Sequence, residues 1–444
     1  MKIIIIGMGT GGLFSAITIK KRERDAEIVF FDKKDFDILH PCGLPYAIEG
    51  RINSFDALKS ELPDMGFIKF HKHEVKKIIS NEKKLLVENL KNKEISEHNY
   101  DKLIIASGGK QFIPDIPGVK LKGVFSVHGY RECFELSEYI KTCKKAIIIG
   151  AGAIGLETSI ALKRRGLDVT VVEMMKNSLP NSLDSDIAMI LDDYLKEQGI
   201  SLMFNSRIME IKGKEKVSNV VLNTNDNIKE LETDLVVLAM GVRGNNGIVK
   251  GTDINMGKYG IITNERMQTN HPDIYAIGDC IQVKSFIDNR DTSMHLAVAA
   301  YKQGLVAGKN ILGIPAKYKG ALGTFASKIG DMEVAATGFH SGTKDIETIS
   351  GKAKSLTKPS WCSGEDITLK IISDKDGMLI GGQAIGLSGA AARINILCAA
   401  ISSRASVYNL ADMEMAYCPE VSETYDVLMQ AADNLIRKIN RGKK

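Results

Sequence analysis

The chain has 444 residues, of which 44% are hydrophobic and 25% charged, and its formal net charge is +5. At about 150 residues per domain this length predicts three domains. The small, scattered excess of Lys and Arg argues against nucleic acid, and no apolar stretch approaches the roughly 18 residues that span a bilayer. Met1 and Lys2 lead directly into an apolar run without a secretion leader, so we expect a cytoplasmic protein with no membrane partner.

A first nucleotide motif lies at the start of the chain. Residues 3–6 form a short β-branched run, typical of a buried strand, and Gly7-Met8-Gly9-Thr10-Gly11-Gly12 follows it. In such a motif the first glycine permits a tight turn, the second admits a pyrophosphate and the third lets helix and strand pack closely. A helix is predicted over 13–20 and a strand over 27–31. Asp32 then stands 20 residues after Gly12, the spacing at which an acid meets an adenosine ribose.

The pattern repeats in the middle of the chain. A predicted strand over 145–149 leads into Gly150-Ala151-Gly152-Ala153-Ile154-Gly155, and a helix to about 165 follows. A strand over 168–172 ends at Glu173, 18 residues after the third glycine. Two such motifs, each with its acid, indicate two dinucleotide sites. Glu173 would repel a 2′-phosphate and favours NADH; Lys176 nearby leaves NADPH as the alternative.

Later segments predict the remaining architecture. Strand-to-loop segments at 100–109, 234–242 and 274–279 are expected to close on the same nucleotides, and a helix is predicted over 294–312. From about Gly320 the pattern changes to a separate α+β domain. Its predicted elements are strands 367–372 and 378–382 around the hairpin turn Asp376-Gly377, and helices 390–404 and 424–438.

The cysteines point to one reactive sulfur. There are seven, an odd number without a C-x-x-C pair, so we expect neither structural disulfides nor a metal site. Cys42 lies in His40-Pro41-Cys42-Gly43-Leu44-Pro45-Tyr46, where Pro45 predicts a helix that begins at Cys42. A thiolate at a helix N-terminus gains stabilisation from the helix dipole, which favours a nucleophilic Cys42. His40 is a candidate proton donor, with a surface or capping role as the alternative.

Together these motifs resemble the pyridine nucleotide-disulfide oxidoreductases, flavoproteins with two dinucleotide-binding domains, over essentially the whole chain. The resemblance implies an α/β fold with two Rossmann-like domains, for FAD and NAD, and a C-terminal α+β dimerisation domain. It implies an FAD-binding domain of residues 1–112 and 245–320, an NAD(P)H-binding domain of 113–244 and a dimerisation domain of 321–444. A homodimer is therefore expected.

The resemblance also assigns site residues by matching motif. Those implied to hold FAD are Gly7, Gly9, Thr10, Gly11, Gly12, Asp32, Lys33, Ser107, Gly108, Gly278 and Asp279. Those implied to hold NADH or NADPH are Gly150, Gly152, Ala153, Ile154, Gly155 and Glu173, with Gly241 near the nicotinamide end. In relatives that use coenzyme A, the first helix contacts the coenzyme A phosphates. Candidate substrate-binding residues are therefore Ser15 and Arg22, together with His40 beside Cys42; for Arg22 a role in complementing its own helix dipole is the alternative.

Within this family the chain is similar to the single-cysteine branch. Ala47 stands five residues after Cys42, where relatives of glutathione reductase carry a second cysteine. The run from Cys42 to Tyr46 resembles coenzyme A disulfide reductases more than oxidases. Tyr417-Cys418-Pro419 resembles a motif that reaches the second subunit's active site, which makes Tyr417 a catalytic candidate. The implied activity passes electrons from NAD(P)H through FAD to Cys42 and reduces a small disulfide, persulfide or polysulfide, with coenzyme A as a candidate substrate or adduct.

Two alternatives stay open. The first is an NADH oxidase that reduces dioxygen with Cys42 as a sulfenic acid, and the second is a redox-sensing or electron-transfer flavoprotein. Thr10 stands where the oxidases and peroxidases carry a histidine, which weighs against peroxide chemistry, and Ala153 replaces a tyrosine that many oxidases place over the flavin. Cys362 or Cys418 of the second subunit could meet Cys42; the alternative is that both are buried spectators.

Overall fold

The structure is a computed structural model that describes residues 1–343 and 345–442. Within those ranges no helix is both long and apolar enough to cross a membrane. The helices are α1 (Thr10–Lys20), α2 (Leu44–Glu49), α3 (Tyr130–Tyr139), α4 (Ala153–Arg164), α5 (Ser185–Glu197), α6 (Ala297–Ile311), α7 (Ala390–Ser402), α8 (Val407–Ala411) and α9 (Val427–Gly442).

The strands of the described residues form both parallel and antiparallel sheets. They are β1 (Lys2–Ile6), β2 (Glu27–Asp32), β3 (Ile38–Leu39), β4 (Lys59–Ser60), β5 (Ile68–His71), β6 (His73–Ile79), β7 (Lys84–Asn89), β8 (Ile95–Asn99), β9 (Lys102–Ile105), β10 (Gly109–Gln111), β11 (Val124–Ser126), β12 (Lys145–Ile149), β13 (Asp168–Val172), β14 (Ser201–Met203), β15 (Ser206–Gly213), β16 (Val217–Thr224), β17 (Asn227–Glu232), β18 (Leu235–Leu238), β19 (Val242–Gly244), β20 (Ile274–Ala276), β21 (Val283–Lys284), β22 (Asp291–Thr292), β23 (Phe325–Ile329), β24 (Met332–Gly338), β25 (Thr348–Leu356), β26 (Asp366–Asp374) and β27 (Leu379–Gly386).

The first of two compact units comprises residues 1–44, 52–112 and 241–321. Its main sheet is parallel, with the strand order β20-β9-β1-β2-β5. The apolar run Ile3–Ile6 is buried in the centre, as expected for a strand covered on both faces. The predicted strands at 3–6 and 27–31 are confirmed. The prediction that the first helix begins at 13 is wrong, because α1 begins at Thr10, inside the glycine motif.

Helix α6 lies alongside α1 in the same direction. A Cβ on Gly304 would lie 2.6 Å from the Gly11 carbonyl oxygen, and one on Gly308 would lie 2.9 Å from that of Ser15. Small residues four apart thus let the two backbones touch, and both helices begin at the same end. The helix predicted over 294–312 is confirmed, although it begins three residues later, at Ala297.

The second compact unit comprises residues 45–51, 113–240 and the chain from 322 onwards. It contains a second parallel sheet, in the order β11-β18-β12-β13-β14, and an antiparallel sheet in the order β23-β24-β27-β26-β25. The predicted hairpin is confirmed, since β26 and β27 pair antiparallel around Gly377, whose φ is +89°. The α/β class with a C-terminal α+β portion is therefore confirmed, whereas the boundaries of three domains stay a prediction.

An ion cluster around the buried Lys370 joins α5 to the antiparallel sheet within the second unit. The Lys370 ammonium, 9% exposed, lies 2.7 Å from Asp184 and 2.9 Å from Asp186 at the start of α5. Ser341 donates two further hydrogen bonds to Asp184. Burial raises the pKa of the Asp184 carboxyl, but the hydrogen bonds from Lys370 and Ser341 outweigh burial, so the pKa lies below its usual range.

We expect Lys370→Met to lower the free energy of unfolding by about 3–5 kcal/mol at pH 7, because the largely buried Asp184 carboxylate loses its cation and keeps the two Ser341 hydrogen bonds. Since the folded pKa of Asp184 is depressed, this stabilisation is present above an unfolded pKa of about 3.9 and is lost as pH falls through the folded value. The difference in the free energy of unfolding between wild type and Lys370→Met, measured by denaturant titration, should therefore become smaller from pH 7 to pH 3. Lys352→Met, which removes an exposed partner of Asp186, is the control and should cost at most about 1 kcal/mol.

Candidate active site

The first glycine motif forms a turn in which the backbone touches itself. Gly7 has φ +106°, and a Cβ there would overlap the carbonyl oxygen of Ala106. A Cβ on Gly12 would overlap the carbonyl oxygen of Gly7. At Gly9, by contrast, a Cβ would meet no atom within 4 Å. The turn therefore leaves an open face at the N-terminus of α1, where unpaired N–H groups and the helix dipole favour a phosphate.

Asp32 lies beside this turn at the end of β2. One carboxylate oxygen accepts the Met8 N–H at 2.7 Å, and the other accepts the Lys34 N–H at 2.9 Å. A cavity of about 430 Å³ opens next to it, and Ser107 also lines that cavity. Lys33 is mostly exposed and pairs with Glu74 at 2.6 Å. A cavity beside an acid at the end of β2 is what the prediction for Asp32 requires, and its contact with an adenosine ribose stays a prediction.

The other residues predicted for this nucleotide meet where β9 and β20 end. Ser107 Oγ donates to the Asn245 carbonyl oxygen at 2.8 Å, and the Asn245 N–H donates to that of Gly108 at 2.8 Å. A Cβ on Gly109 would lie 2.9 Å from Asp279 Oδ2. Carboxyl ends of neighbouring parallel strands thus bring the loops of Gly108 and Asp279 together, as the predicted site requires.

Two supporting residues were missed by the sequence analysis. One is Asn245, whose backbone and amide join the loop of Ser107. The other is Gln303, fully buried on α6, whose Oε1 accepts the Gly278 N–H at 2.7 Å; Gly278 has φ +80°. The available signal was an amide on an otherwise small and apolar helix face.

Two motif residues mark the first turn of α1. Thr10 is its first residue, and Gly11 packs on the Ile277 side chain, 3.2 Å from a Cβ placed there. Both lie next to the open face at Gly9, as the motif predicts.

The second glycine motif repeats the same geometry in the other unit. Gly150 has φ +111°, a Cβ on Gly155 would overlap the Gly150 carbonyl oxygen, and Gly152 faces open space. Glu173 accepts the Ala151 N–H at 2.9 Å and the Met175 N–H at 2.8 Å. Two backbone hydrogen bonds thus fix the Glu173 carboxylate beside the turn, as they fix Asp32 in the first motif.

The remaining predicted contacts of this nucleotide lie at helix and loop ends. Ala153 is the first residue of α4, and Ile154 is 39% exposed on the first turn. Gly241 has φ +100°, and a Cβ there would meet no atom within 4 Å. It belongs to the first compact unit, and its place near the nicotinamide stays a prediction.

Cys42 is exposed in the first turn of a helical segment. A 3-10 turn at Pro41–Gly43 continues directly into α2, since Leu44 has α-helical φ and ψ. The prediction that the helix begins at Cys42 is therefore wrong by one residue, because Pro41 takes the first helical position. Gly43 packs so closely on Leu58 that a Cβ would overlap that side chain. His40 is exposed, with Nε2 3.0 Å from the Ser60 hydroxyl.

The structure contradicts the prediction that Ser15 contacts substrate. Ser15 has no exposed surface, and its hydroxyl donates to the Gly12 carbonyl oxygen at 2.8 Å. Ser15 therefore packs α1 against α6 and cannot reach a ligand. Arg22 is exposed and donates to the Thr18 carbonyl oxygen at 3.2 Å, the contact expected of a basic residue at a helix C-terminus.

Burial separates the cysteines. Cys133 and Cys280 are fully buried, and burial raises the pKa of their thiols to about 12 and about 11. Cys362 is 7% exposed, whereas Cys42 and Cys418 are exposed. Tyr417, next to Cys418, is 50% exposed in the second unit, so its predicted role at the site of a second copy stays a prediction. No group of three or more acidic, His or Cys side chains in the described residues could hold a metal ion.

Comparisons with known proteins match nearly the whole chain. The model of the family described as pyridine nucleotide-disulphide oxidoreductase matches residues 1–304, and the model of its dimerisation domain matches 326–429. An NADH oxidase of Methanocaldococcus jannaschii is 40% identical over 99% of this chain and 100% of its own. A coenzyme A-dependent NAD(P)H sulfur oxidoreductase of Pyrococcus furiosus is 31% identical over 97% and 98%. The crystal structure of reduced CoADR-RHD from Bacillus anthracis has a TM-score of 0.94 and 29% identity, covering 99% of this chain and 81% of that one.

Two glycines of the first turn should respond differently to alanine. Gly12→Ala places a methyl group on the Gly7 carbonyl oxygen, so we expect a lower melting temperature and loss of FAD. Gly9→Ala meets no protein atom, so the apoprotein should keep its melting temperature while FAD binds at least about ten-fold more weakly. Flavin absorbance and calorimetry measure both quantities. Gly129→Ala, also in open space but at α3, is the control; equal FAD affinity in Gly9→Ala and this control would contradict the role of Gly9.

Proposed function

Because the chain belongs to the pyridine nucleotide-disulphide oxidoreductase family, we propose that it reduces a small disulfide, persulfide or polysulfide at Cys42 with electrons from NADH. As a member it is an FAD- and NAD(P)H-dependent oxidoreductase, and its dimerisation domain supports a homodimer. The observation that carries the proposal is Cys42 itself: an exposed thiol in the first turn of a helix, with Ala47 in place of a neighbouring cysteine.

The residues present fit both nucleotides. Gly9 and Gly152 leave room for a pyrophosphate at two helix N-termini, and each turn has an acid already held by two backbone N–H groups. FAD, when bound, supplies the transfer of an electron pair from nicotinamide to sulfur. The chain supplies the binding turns, the orientation and the sulfur nucleophile.

The proposed sulfur chemistry is a thiolate exchange. Cys42 Sγ bonds to one sulfur of R–S–S–R′, and the other sulfur leaves as the thiolate R′S⁻. The electron pair from NADH then breaks the new S–S bond and returns the Cys42 thiolate and RS⁻. The balance is NADH, one proton and RSSR′ on one side, and NAD⁺, RSH and R′SH on the other. No second protein cysteine is needed, in agreement with Ala47.

We propose a coenzyme A-linked sulfur compound as the substrate class. Support comes from the similarity to the coenzyme A-dependent sulfur oxidoreductase of Pyrococcus furiosus and to CoADR-RHD of Bacillus anthracis, and from the position of His40 two residues before Cys42. Arg22 would have to leave its own helix carbonyl to bind a phosphate, and Ser15 has no part in the proposal. Tyr417 would act from the second copy of the chain. A cytoplasmic location, where thiols are kept reduced, belongs to the same proposal.

An NADH oxidase is the second candidate, favoured by the name of the relative that is 40% identical. In that case the electrons reduce dioxygen, and Cys42 cycles through a sulfenic acid. Thr10 stands where the resemblance to the oxidases implies a histidine, and its neutral hydroxyl is not an acid–base group like imidazole, which supports the sulfur reductase.

Cys42→Ser separates the two candidates. Without a thiolate nucleophile we expect turnover of coenzyme A disulfide by NADH to fall at least about 10³-fold, while flavin content stays unchanged. The rate of NADH oxidation with the disulfide measures the reductase activity, and the rate of oxygen uptake without it measures the oxidase activity. Cys143→Ser is the control, because burial raises the pKa of that half-buried thiol and the hydroxyl keeps its hydrogen bond to Tyr139. Disulfide turnover at the wild-type rate in Cys42→Ser would contradict the proposal.

Glu173 should set the preference for NADH. Glu173→Gln keeps the shape but removes the charge that repels a 2′-phosphate, so we expect the ratio of kcat/KM for NADH over NADPH to fall about ten-fold. Asp168→Asn, an exposed acid at the far end of β13, is the control and should leave the ratio unchanged. An unchanged ratio in Glu173→Gln would remove the proposed preference.

A further inference from the structure

The strand that leads to Cys42 is held by another segment of the first compact unit. Strand β3 pairs antiparallel with β4, and both belong to that unit. Beyond this pairing, the His40 N–H donates to the Leu58 carbonyl oxygen at 2.8 Å. The Leu58 side chain lies so close to Gly43 that a Cβ there would overlap it. The backbone on both sides of Cys42 is therefore fixed by one neighbouring segment.

The same segment also holds the ring of His40. Ser60 is the last residue of β4, and its hydroxyl lies 3.0 Å from His40 Nε2. A serine hydroxyl both donates and accepts, so it is a partner for Nε2 in either tautomer of the ring. Nδ1 is then the ring nitrogen left for a ligand. Both His40 and Cys42 are exposed, so a ligand has access to the two side chains.

The proposed exchange needs a proton at the sulfur that leaves, not at Cys42. The attacking, central and leaving sulfurs lie nearly in line, so the leaving sulfur is about 4–5 Å from Cys42 Sγ. Residues two apart in the chain have Cα atoms within about 7 Å of each other. An imidazole at residue 40 is therefore within range of the leaving sulfur without having to touch Cys42 Sγ.

We propose that His40 is a catalytic proton donor to the leaving sulfur and that Ser60 is its positioning residue. Cys42 Sγ forms a bond to one sulfur of R–S–S–R′ while the S–S bond breaks. The electron pair of that bond goes to the leaving sulfur, which takes a proton from the His40 imidazolium and departs as R′SH. Water returns the proton to His40, in agreement with the single proton that the overall reaction consumes. This inference rests on the proposed role of Cys42 as the nucleophile.

The contact with Ser60 matters because His40 is exposed. An unrestrained surface imidazole occupies several rotamers, and only some of them direct Nδ1 toward a substrate. A hydrogen bond at the other ring nitrogen restricts the ring, as such bonds orient histidines at catalytic and metal sites. A neutral hydrogen bond corresponds to a factor of about three to ten, so Ser60 should have a smaller effect than His40 itself.

The test compares two small neutral disulfides in the full-length, FAD-loaded protein. Bis(hydroxyethyl) disulfide releases a basic alkyl thiolate, whereas dithiodipyridine releases a stabilised thiolate that leaves readily without a proton. Peptide mass spectrometry follows the rate at which each forms a mixed disulfide at Cys42. We expect the ratio of the alkyl rate to the aromatic rate to fall at least about ten-fold in His40→Gln and about three- to ten-fold in Ser60→Ala. The aromatic rate itself should stay unchanged in both variants.

Matched variants separate proton donation from a loosened segment. Ser60→Thr keeps the hydroxyl and should retain the wild-type ratio. Ser54→Ala removes an exposed hydroxyl that accepts the Asp56 N–H at 3.1 Å in the turn before β4, and should leave the ratio unchanged. The double variant of His40→Gln and Ser60→Ala should match His40→Gln alone, because Ser60 acts through His40. If His40→Gln fails to fold, Ser60→Ala and Ser60→Thr carry the test.

The outcomes are distinct. An unchanged ratio in His40→Gln or Ser60→Ala would overturn the inference, and so would equal losses with both disulfides, which report damage to Cys42. A loss in Ser54→Ala as large as that in Ser60→Ala would assign the effect to the segment and overturn the role of Ser60. Neither probe has to be a natural substrate. Disulfide turnover that survives Cys42→Ser would instead overturn the proposed function, whatever the rate ratios show.

Discussion

The contact between the first and third glycines of each nucleotide motif is the constraint on which the rest of the structure depends. The carbonyl oxygen of Gly7 occupies the space that a side chain at residue 12 would fill, and the Gly150 carbonyl does the same at residue 155. This contact lets each helix start directly above the end of its central strand. It thereby aims the unpaired N–H groups and the positive dipole end at the carboxyl edge of the sheet, where phosphate binds. Larger residues would move the helix away and leave the edge without this charge.

Both turns are organised before any nucleotide binds. Asp32 and Glu173 each accept two backbone N–H groups around their turn, with donors at equivalent positions in the two motifs. Such bonds fix each carboxylate in place, so little side-chain freedom would be lost on binding the ribose that the prediction assigns to it. The close packing of α6 on α1 extends the same principle, because Gly304 and Gly308 bring a second helix N-terminus to the same end of the first unit. Gln303 on that helix then holds the Gly278 loop.

Burial decides which sulfurs of the described residues are accessible. Ionising a fully buried thiol such as Cys133 would place a charge out of water, so such thiols stay protonated. The exposed sulfurs are those of Cys42 and Cys418. Of these two, Cys42 alone lies in the first turn of a helical segment. Its exposure and this position support the proposal that Cys42 is the reacting residue.

Local pattern determined much of this protein. Strand–glycine–helix order and the spacing to Asp32 and Glu173 predicted both nucleotide turns, since close backbone approach demands glycine at known positions. The apolar run of 3–6 and the Asp-Gly hairpin at 376–377 predicted their elements for the same local reasons. Only the tertiary structure decided that Ser15 is buried where α1 packs on α6 and that Asn245 and Gln303 hold the loops of Ser107 and Gly278. It also decided that Arg164 meets Glu49 from 115 residues away. Contacts between distant segments depend on how whole elements pack, and neither periodicity nor motif spacing contains that information.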